Sequence, residues 1–195
     1  MSPDAIKSAT LRDQDAVADV LTLAFSADPA ARWSWADPRS YLAHFPRFVR
    51  AFGGAAFARG TAYVIEGCKG AALWLPPGAK PDEAAMGALM QETVDQHAQR
   101  DAGALMEQMA SYHPTEPHWY LPLIGIDPAY QGKGLGSALM RHALAESDRE
   151  GCLAYLESSN PANVPLYQRH GFELLGTIQV GSSPEIFPML RKPHR

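Results

Sequence analysis

The sequence has few cysteines and no obvious metal-binding motif. Its 195 residues include two cysteines, Cys68 and Cys152, with no CxxC pair and no cysteine grouped with histidine. This pattern argues against both a zinc site and a disulfide framework, so we expect no metal. Each cysteine stands in an apolar, strand-like segment, which predicts two buried, reduced thiols.

Long apolar runs and an excess of positive charge are also missing. No segment is long and apolar enough to span a bilayer, and Met1–Asp13 lacks the apolar core of a signal peptide. The formal net charge of −4 and the pI near 5.9 argue against nucleic-acid binding, which usually needs a basic face. We therefore expect a cytoplasmic protein with neither a membrane nor a nucleic acid as partner.

What is present is the composition of one folded domain. The chain is 46% hydrophobic and 19% charged, and its length predicts a single domain over residues 1–195. Apolar residues at helical spacing predict helices over about 10–26, 38–53, 82–110 (interrupted at Gly103), 135–151 and 160–170. Strands are predicted over 5–9, 61–66, 70–75, 118–126, 152–158, 172–180 and 186–191. This mixed order is typical of an α/β fold.

Local signals fix some of these boundaries. Thr10 followed by Asp13 forms a capping-box pattern, and Asp37-Pro38 is a helix start with proline in the first turn. Asp28-Pro29 is interpreted as a helix break that leads into a loop. Pro122 lies inside a predicted strand and cannot donate to a ladder, so that strand must be bulged or unpaired there.

The segment Ile126–Ser137, IDPAYQGKGLGS, places glycines and a lysine between a strand and a helix. It fails as a P-loop because Lys133 is followed by glycine, and it fails as a dinucleotide fingerprint because Ser137 stands at the last position. Its glycines would still let backbone N–H groups approach an anion at a helix N-terminus. Alone, the segment fits a phosphate site or an empty tight turn equally well.

Two segments together resemble the GNAT superfamily of acyl-CoA-dependent N-acyltransferases. Gln131–Gly136 matches the superfamily's Q/R-x-x-G-x-G/A loop, and Asn160–Phe172 resembles its N-x-x-x-x-x-L-Y-x-x-x-G-F segment. The resemblance implies the GNAT fold, an α/β architecture whose central mixed sheet has splayed fourth and fifth strands and helices on both faces. Glu116–Leu121 and Phe187–Pro193 are also similar to the group that includes puromycin N-acetyltransferase. That closer similarity concerns the C-terminal half and does not extend to the substrate.

The resemblance implies acetyl-CoA as co-substrate, bound mainly by 118–172, with the acceptor bound mainly by 10–115. In the superfamily the glycine loop binds the coenzyme A pyrophosphate, and the strand before it contacts the pantetheine. The implied contacts are Ile124, Gly125, Ile126, Gln131, Gly132, Lys133, Gly134, Leu135, Gly136, Ser137, Asn160 and Asn163. For Asn160, a helix N-cap is an equally good explanation.

Tyr167 is the candidate general acid that the resemblance implies. A tyrosine hydroxyl, with a pKa of about 10, can protonate a leaving thiolate whose pKa is about 8.5. Spacing alone favours a packed aromatic beside Leu166 and Phe172, whereas the family motif favours the acid.

Glu157 is the candidate general base, because it would lie on the fifth strand, on the same face as Tyr155. A structural carboxylate at a strand end is the alternative. His113 and His118 have no acidic partner at metal-ligand spacing, so loop or pocket-rim positions are predicted for them. Neither cysteine has a histidine partner in the sequence, which argues against an acetyl-cysteine route.

The candidate acceptor-binding residues are Phe25, Trp33 and Trp35, since tryptophans in a loop are hard to bury fully. The helical segment 82–110 is expected to cover that side as a lid. The predicted function is transfer of an acetyl group from acetyl-CoA to a small-molecule primary amine. A protein or peptide N-acetyltransferase and a non-catalytic acyl-CoA sensor are the alternatives. The sequence leaves the oligomeric state open, although homodimers are common in the superfamily.

Overall fold

Seven strands form one mixed sheet in the computed structural model, which describes residues 5–194 apart from the side chain of His97. The expectation about a signal peptide concerns in part positions 1–4, outside these residues. The strands are β1 (Ile6–Ser8), β2 (Ala62–Ile65), β3 (Gly70–Leu75), β4 (His118–Ile126), β5 (Leu153–Ser158), β6 (Glu173–Leu174) and β7 (Phe187–Arg191). Their order is β1-β2-β3-β4-β5-β7-β6, with β4 and β5 parallel and the other pairs antiparallel.

Helices cover both faces of this sheet. They are α1 (Gln14–Ala24), α2 (Pro29–Ser34), α3 (Pro38–Gly53), α4 (Ala55–Arg59), α5 (Glu83–Thr93), α6 (Gln96–Tyr112), α7 (Leu135–Glu150) and α8 (Val164–Arg169). On β3, Ala71, Leu73 and Leu75 pack in the core of the α1, α3 and α4 layer. Ala72 and Trp74 pack in the core of the α7 layer. The strand therefore contributes to both cores, as the two-residue period of a strand requires. Within the described residues, every helix falls short of the length and apolar character needed to cross a bilayer.

The predicted helix starts are confirmed. The backbone N–H of Thr10 donates to the Asp13 carboxylate at 2.8 Å, which completes the capping box ahead of α1. The Asp37 carboxylate accepts from the backbone N–H of Ser40 at 2.8 Å, with Pro38 as the first residue of α3.

Pro122 marks the place where the sheet opens, as its position in a strand predicts. Leu121 and Pro122 together face Trp74, because the register of β3 against β4 shifts between Leu73 and Leu75. On its other side β4 pairs with β5 only as far as Leu121 opposite Leu156. Beyond that pair, the described residues of β4 and β5 no longer pair with each other. We call this opening between β4 and β5 the strand gap.

Two helix predictions are wrong. Trp33 lies in the short helix α2, not in a loop, because the Asp28 carboxylate accepts from the N–H groups of Ala30 and Ala31 and starts a new helix. The interruption in 82–110 falls at Val94, whose backbone is extended, and not at Gly103. The Asp95 carboxylate then accepts from the backbone N–H of Ala98 at 3.0 Å. A capping aspartate starts a helix, whereas one glycine inside a helix costs only about 1 kcal/mol.

The prediction of buried cysteines in strands is also wrong. Cys68 is half-buried in the β2–β3 turn, where its φ of 53° is left-handed. Cys152 is half-buried just before β5. The predicted strand 172–180 is too long, because the structure has only the two-residue β6 and one bridge between Ile178 and Ile186 in this segment.

Candidate active site

The glycine loop ends in two left-handed residues. Gly132 has φ of 74° and Gly134 has φ of 79°. A Cβ atom at either position would meet no other atom within 4 Å. Glycine is therefore required here by backbone conformation and not by crowding. The loop is exposed, while the next residue, Leu135, is 6% exposed and anchors the start of α7.

Among the residues that the structure describes, no side chain caps the N–H donors at the first turn of α7, a helix of 16 residues. A helix N-terminus with free N–H groups favours a phosphate. The loop holds its own shape, because the Gln131 side chain donates to the carbonyl of Ile126 at 3.1 Å. The Lys133 ammonium lies 5.0 Å from the centre of the Tyr130 ring. These features fit a diphosphate, which is the part of coenzyme A that the sequence predicts here.

A side-chain contact joins the first turn of α7, just after the loop, to the residue that follows α8. The Ser137 hydroxyl and Nε2 of His170 lie 2.9 Å apart. Burial lowers the pKa of His170, and the charges of Arg141, Arg169 and Arg191 lower it further. The ring is consequently neutral at physiological pH, so it can share a hydrogen bond with Ser137 in either direction.

One edge of the strand before the loop faces the strand gap. Ile124, Gly125 and Ile126 pair with β3 on one side and have no register partner on the β5 side among the described residues. Their backbone groups on that side are available to an extended ligand. Gly125 also lies against α1, since a Cβ added to it would come within 2.5 Å of the Ala24 side chain.

The two asparagines begin the segment that leads to α8. The Asn160 side chain accepts from the backbone N–H of Ala162 at 3.0 Å, so its predicted N-cap role is confirmed. Asn163 stands at the start of α8 and is exposed, and its side chain makes no capping bond. Contacts of either residue with pantetheine stay a prediction.

Tyr167 lies on α8 and is 6% exposed. Its ring packs edge-on against Phe172, with ring centroids 6.3 Å apart. Burial raises the pKa of Tyr167, and the nearby negative charge of Asp28 raises it further. The hydroxyl therefore keeps its proton at neutral pH and is available as a donor.

Asp28 is a buried carboxylate that the sequence identifies only as a helix break. Its Oδ2 accepts from the Ser159 hydroxyl at 2.6 Å, across 131 positions of sequence. The bond ties the start of α2 to the segment after β5. Burial raises the pKa of Asp28, and the bonds from Ser159, Ala31 and Ala30 oppose that effect. The Asp-Pro pattern that correctly starts α3 is also present at Asp28-Pro29, and it could have identified this cap.

Glu157 lies where the strand gap opens, with its side chain 3% exposed. Its Oε2 accepts a hydrogen bond from the Tyr120 hydroxyl at 2.8 Å. Its Oε1 lies 3.0 Å from Nε2 of His113, but the approach lacks hydrogen-bond geometry, and the described residues offer that oxygen no bonded partner. A buried carboxylate oxygen without a hydrogen bond is unusual, and a catalytic role is one of the explanations for such an atom.

Three aromatic rings surround Glu157. The His113 ring lies 4.4 Å from that of Tyr155 and 4.8 Å from that of Tyr120. Burial, followed by the charge of Glu157, raises the pKa values of Tyr120 and Tyr155. The sequence predicts a rim position for His113 and does not identify its contact with Glu157. We call Glu157, His113, Tyr120 and Tyr155 the Glu157 cluster.

The predicted acceptor-binding residues have different environments. Trp35 is 2% exposed and donates to Thr93 at 2.9 Å, so the expectation that it resists burial is wrong. Trp33 is half-buried and donates to Ser182 at 3.2 Å. Phe25 is also half-buried and packs 5.4 Å from Phe45. A role of these three residues in acceptor binding stays a prediction.

The acetyltransferase (GNAT) family model matches residues 102–172, which include the glycine loop, Asn160, Glu157 and Tyr167. Over residues 102–172 the chain matches the GNAT family. A mycothiol acetyltransferase of Mycolicibacterium gilvum is 35% identical over 89 residues, 40% of this chain and 28% of that protein. An acetyltransferase of Agrobacterium fabrum is 30% identical over 81 residues, 41% of this chain and 59% of that protein. The N-alpha-acetyltransferase RimI of Mycobacterium tuberculosis is 44% identical over 65 residues, 32% of this chain and 40% of that protein.

These matched segments span less than two thirds of the length of each relative. The fold, in contrast, is matched over nearly the whole chain. A structure described as histone acetyltransferase HPA2 and related acetyltransferase, from Corynebacterium glutamicum, has a TM-score of 0.70 at 24% identity and covers 99% of this chain and 98% of that one. A mosquito arylalkylamine N-acetyltransferase like 5b has a TM-score of 0.65 at 15% identity, covering 96% and 99%. At these identities the likeness establishes the GNAT fold alone. The closer similarity to puromycin N-acetyltransferase stays a prediction.

Proposed function

We propose that this chain is an acetyl-CoA-dependent N-acetyltransferase that acts on a primary amine of a small molecule, by direct attack in a ternary complex. One observation carries the proposal: the pairing of β4 with β5 ends at Leu121 and Leu156, next to the buried carboxylate of Glu157 and ahead of the open glycine loop. Tyr167 is buried in the apolar core against which Ile124 and Ile126 pack. A structural turn would need neither the open backbone edge of β4 nor a buried acid and base beside it.

Binding of the donor rests on backbone groups. The N–H groups of Gln131–Ser137 would hold the pyrophosphate, with the Lys133 charge beside them. The free edge at Ile124, Gly125 and Ile126 would bind the pantetheine as an added strand. Acetyl-CoA supplies the thioester, whose reactive carbon would then lie near the closed end of the strand gap.

Proton transfer rests on side chains. The amine nitrogen forms a bond to the acetyl carbon as the carbon–sulfur bond breaks. Oε1 of Glu157 accepts the proton that the ammonium must lose, because Oε2 is already engaged by Tyr120. Tyr167 donates its proton to the leaving thiolate, and the second proton that the nitrogen loses as the amide forms restores the Tyr167 hydroxyl. Such general acid–base steps contribute about 10²- to 10⁴-fold each.

The acceptor class follows from charge and surroundings. Two buried carboxylates, Asp28 and Glu157, lie near the strand gap on a chain whose net charge is −4. Aromatic rings of α3, together with Phe25, form the wall on that side. A small cationic amine with an apolar body suits these surroundings. The name of the mycothiol relative agrees with a small amine, whereas the RimI relative favours a peptide α-amine as the second candidate.

The proposal is tested by thiol release from acetyl-CoA in the presence of a panel of amines. The panel contains aminonucleosides, arylalkylamines, polyamines, cysteinyl amines and peptides with free N-termini. We expect release with a small amine and formation of the matching amide by mass spectrometry. Faster thiol release with the peptides than with the small amines would identify a peptide α-amine as the acceptor. Tight binding of acetyl-CoA without thiol release from any amine would instead identify an acyl-CoA sensor.

A further inference from the structure

The Glu157 cluster contains a route from a sealed carboxylate to solvent. The side chain of Glu157 is 3% exposed, whereas that of His113 is 32% exposed. Nε2 of His113 lies 3.0 Å from Oε1 of Glu157, the oxygen that has no hydrogen bond from the described residues. A base that is sealed from water must pass its proton to a neighbour before it can act again.

His113 is better suited to this than the other groups around Glu157. Tyr120 and Tyr155 contribute from β4 and β5, Tyr112 lies at the end of α6, and His118 begins β4. The raised pKa values of Tyr120 and Tyr155 show that neither gives up its own proton near neutral pH. His118 has its Nδ1 2.8 Å from the carbonyl of Glu116, and its ring is 5.6 Å from that of His113. An imidazole can accept a proton at one ring nitrogen and release one from the other, which suits exchange with water.

We propose that His113 orients Glu157 and carries its proton to solvent. The inference rests on the proposed function, since Glu157 must first take a proton from the acceptor ammonium. Glu157 then passes that proton to Nε2 of neutral His113, the carboxylate is restored, and the imidazolium releases one proton to water. The sequence of steps needs no oxidant, reductant or other co-reactant. His113 acts through Glu157 and is thus a positioning residue.

Three variants test this inference. His113→Phe keeps an aromatic ring against Tyr120 and Tyr155 but removes the nitrogen. We expect its kcat to fall about 10- to 100-fold, at or below the lower limit of the range for direct proton-transfer groups, with an unchanged KM for acetyl-CoA and an unchanged melting temperature. His113→Ala should behave alike and should regain turnover as imidazole is added to the buffer. His118→Gln is the matched control and should retain the wild-type kcat.

The results distinguish a failure of the His113 relay from a failure of the proposed acetyltransferase function. If the wild type releases thiol and His113→Phe keeps its kcat, the relay is wrong and the acetyltransferase proposal stands. A loss in His113→Ala that imidazole does not restore would also overturn the relay and indicate a packing role. If the wild type transfers to no amine, the proposed function fails and the relay fails with it. Contact itself is read from the imidazole NMR signals of His113, which should move in Glu157→Gln. Glu150→Gln is the control and should leave them unchanged, because the Glu150 carboxylate instead accepts from the Trp119 indole N–H at 2.7 Å. If the His113 signals are identical in the wild type, Glu157→Gln and Glu150→Gln, the contact between His113 and Glu157 is absent, even in an active enzyme.

Discussion

The glycine loop and the Glu157 cluster are built in opposite ways. The loop is one continuous, exposed segment, and it offers backbone groups whose positions depend on glycine conformation at Gly132 and Gly134. The cluster is buried except for the partly exposed His113, and it joins side chains from just after α6, from β4 and from β5. Backbone recognition is thus encoded locally, whereas the proton-transfer groups depend on how distant segments pack. Four substitutions test this contrast.

The largest effect on turnover is expected at Tyr167. This residue lies in the segment 118–172, which is proposed to bind acetyl-CoA mainly through backbone groups, but its own role depends on its side chain. Tyr167→Phe should lower kcat by about 10²- to 10⁴-fold because it removes the proton donor. The Kd for acetyl-CoA should not change, since the ring and its packing against Phe172 remain. Steady-state kinetics and calorimetric titration provide the two measurements. A variant with wild-type turnover would remove the acid role and leave the packed-aromatic interpretation.

The second prediction concerns Gly125, which lies between the donor-binding edge of β4 and helix α1. Its substitution by alanine would bring a Cβ to within 2.5 Å of the Ala24 side chain. We expect a loss of about 2 to 3 kcal/mol in the free energy of unfolding, as in other overpacked cores. Gly87→Ala is the matched control, since Gly87 lies in α5 with open space around it. That control should gain about 0.5 to 1 kcal/mol. Equal denaturant midpoints for the two variants would contradict this account.

The third prediction concerns Asp148, which holds the far end of α7. It makes two hydrogen bonds, of 2.7 and 2.8 Å, to the buried guanidinium of Arg191, which also donates to the carbonyl of His170. Asp148→Asn should lower the free energy of unfolding by about 2 kcal/mol, since it leaves a buried charge without its partner.

The pH dependence of this effect has a definite sign. The bonds from Arg191 lower the pKa of Asp148 in the folded state. The stabilisation is thus complete above the unfolded pKa of about 3.9 and is lost as the pH falls through the folded value. Wild type and variant should converge in urea melts in strong acid. A difference that persists there would assign the effect to shape and not to charge.

The smallest effect is expected in the loop itself. Gly134→Ala introduces no steric clash but forces a side chain into a left-handed conformation, which costs about 1 to 2 kcal/mol. Acetyl-CoA should therefore bind about 10-fold more weakly, while kcat at saturation should be retained. A variant that loses kcat but keeps its Kd would show that the loop does more than hold the donor.

The same contrast explains which predictions from sequence are confirmed. The capping residues Thr10 and Asp37 act over three positions, so their pattern is sufficient to place the starts of helices. Pro122 predicts the disrupted ladder because proline has no N–H to donate. The errors at Trp33 and Gly103 share one cause, since Asp28 and Asp95 start new helices where the apolar pattern indicates a loop or a continuous helix.

By itself, the sequence determined the α/β order of elements, the disruption at Pro122 and the two motifs that indicate a GNAT domain. Each of these depends on residues close together along the chain. Only the tertiary structure decided that Asp28 is bonded to Ser159 and that His113 and Tyr120 converge on Glu157. The parallel register of β4 against β5 brings Tyr120 next to Tyr155 and close to Glu157. Such a register is set by packing between segments far apart in sequence, which no local pattern records.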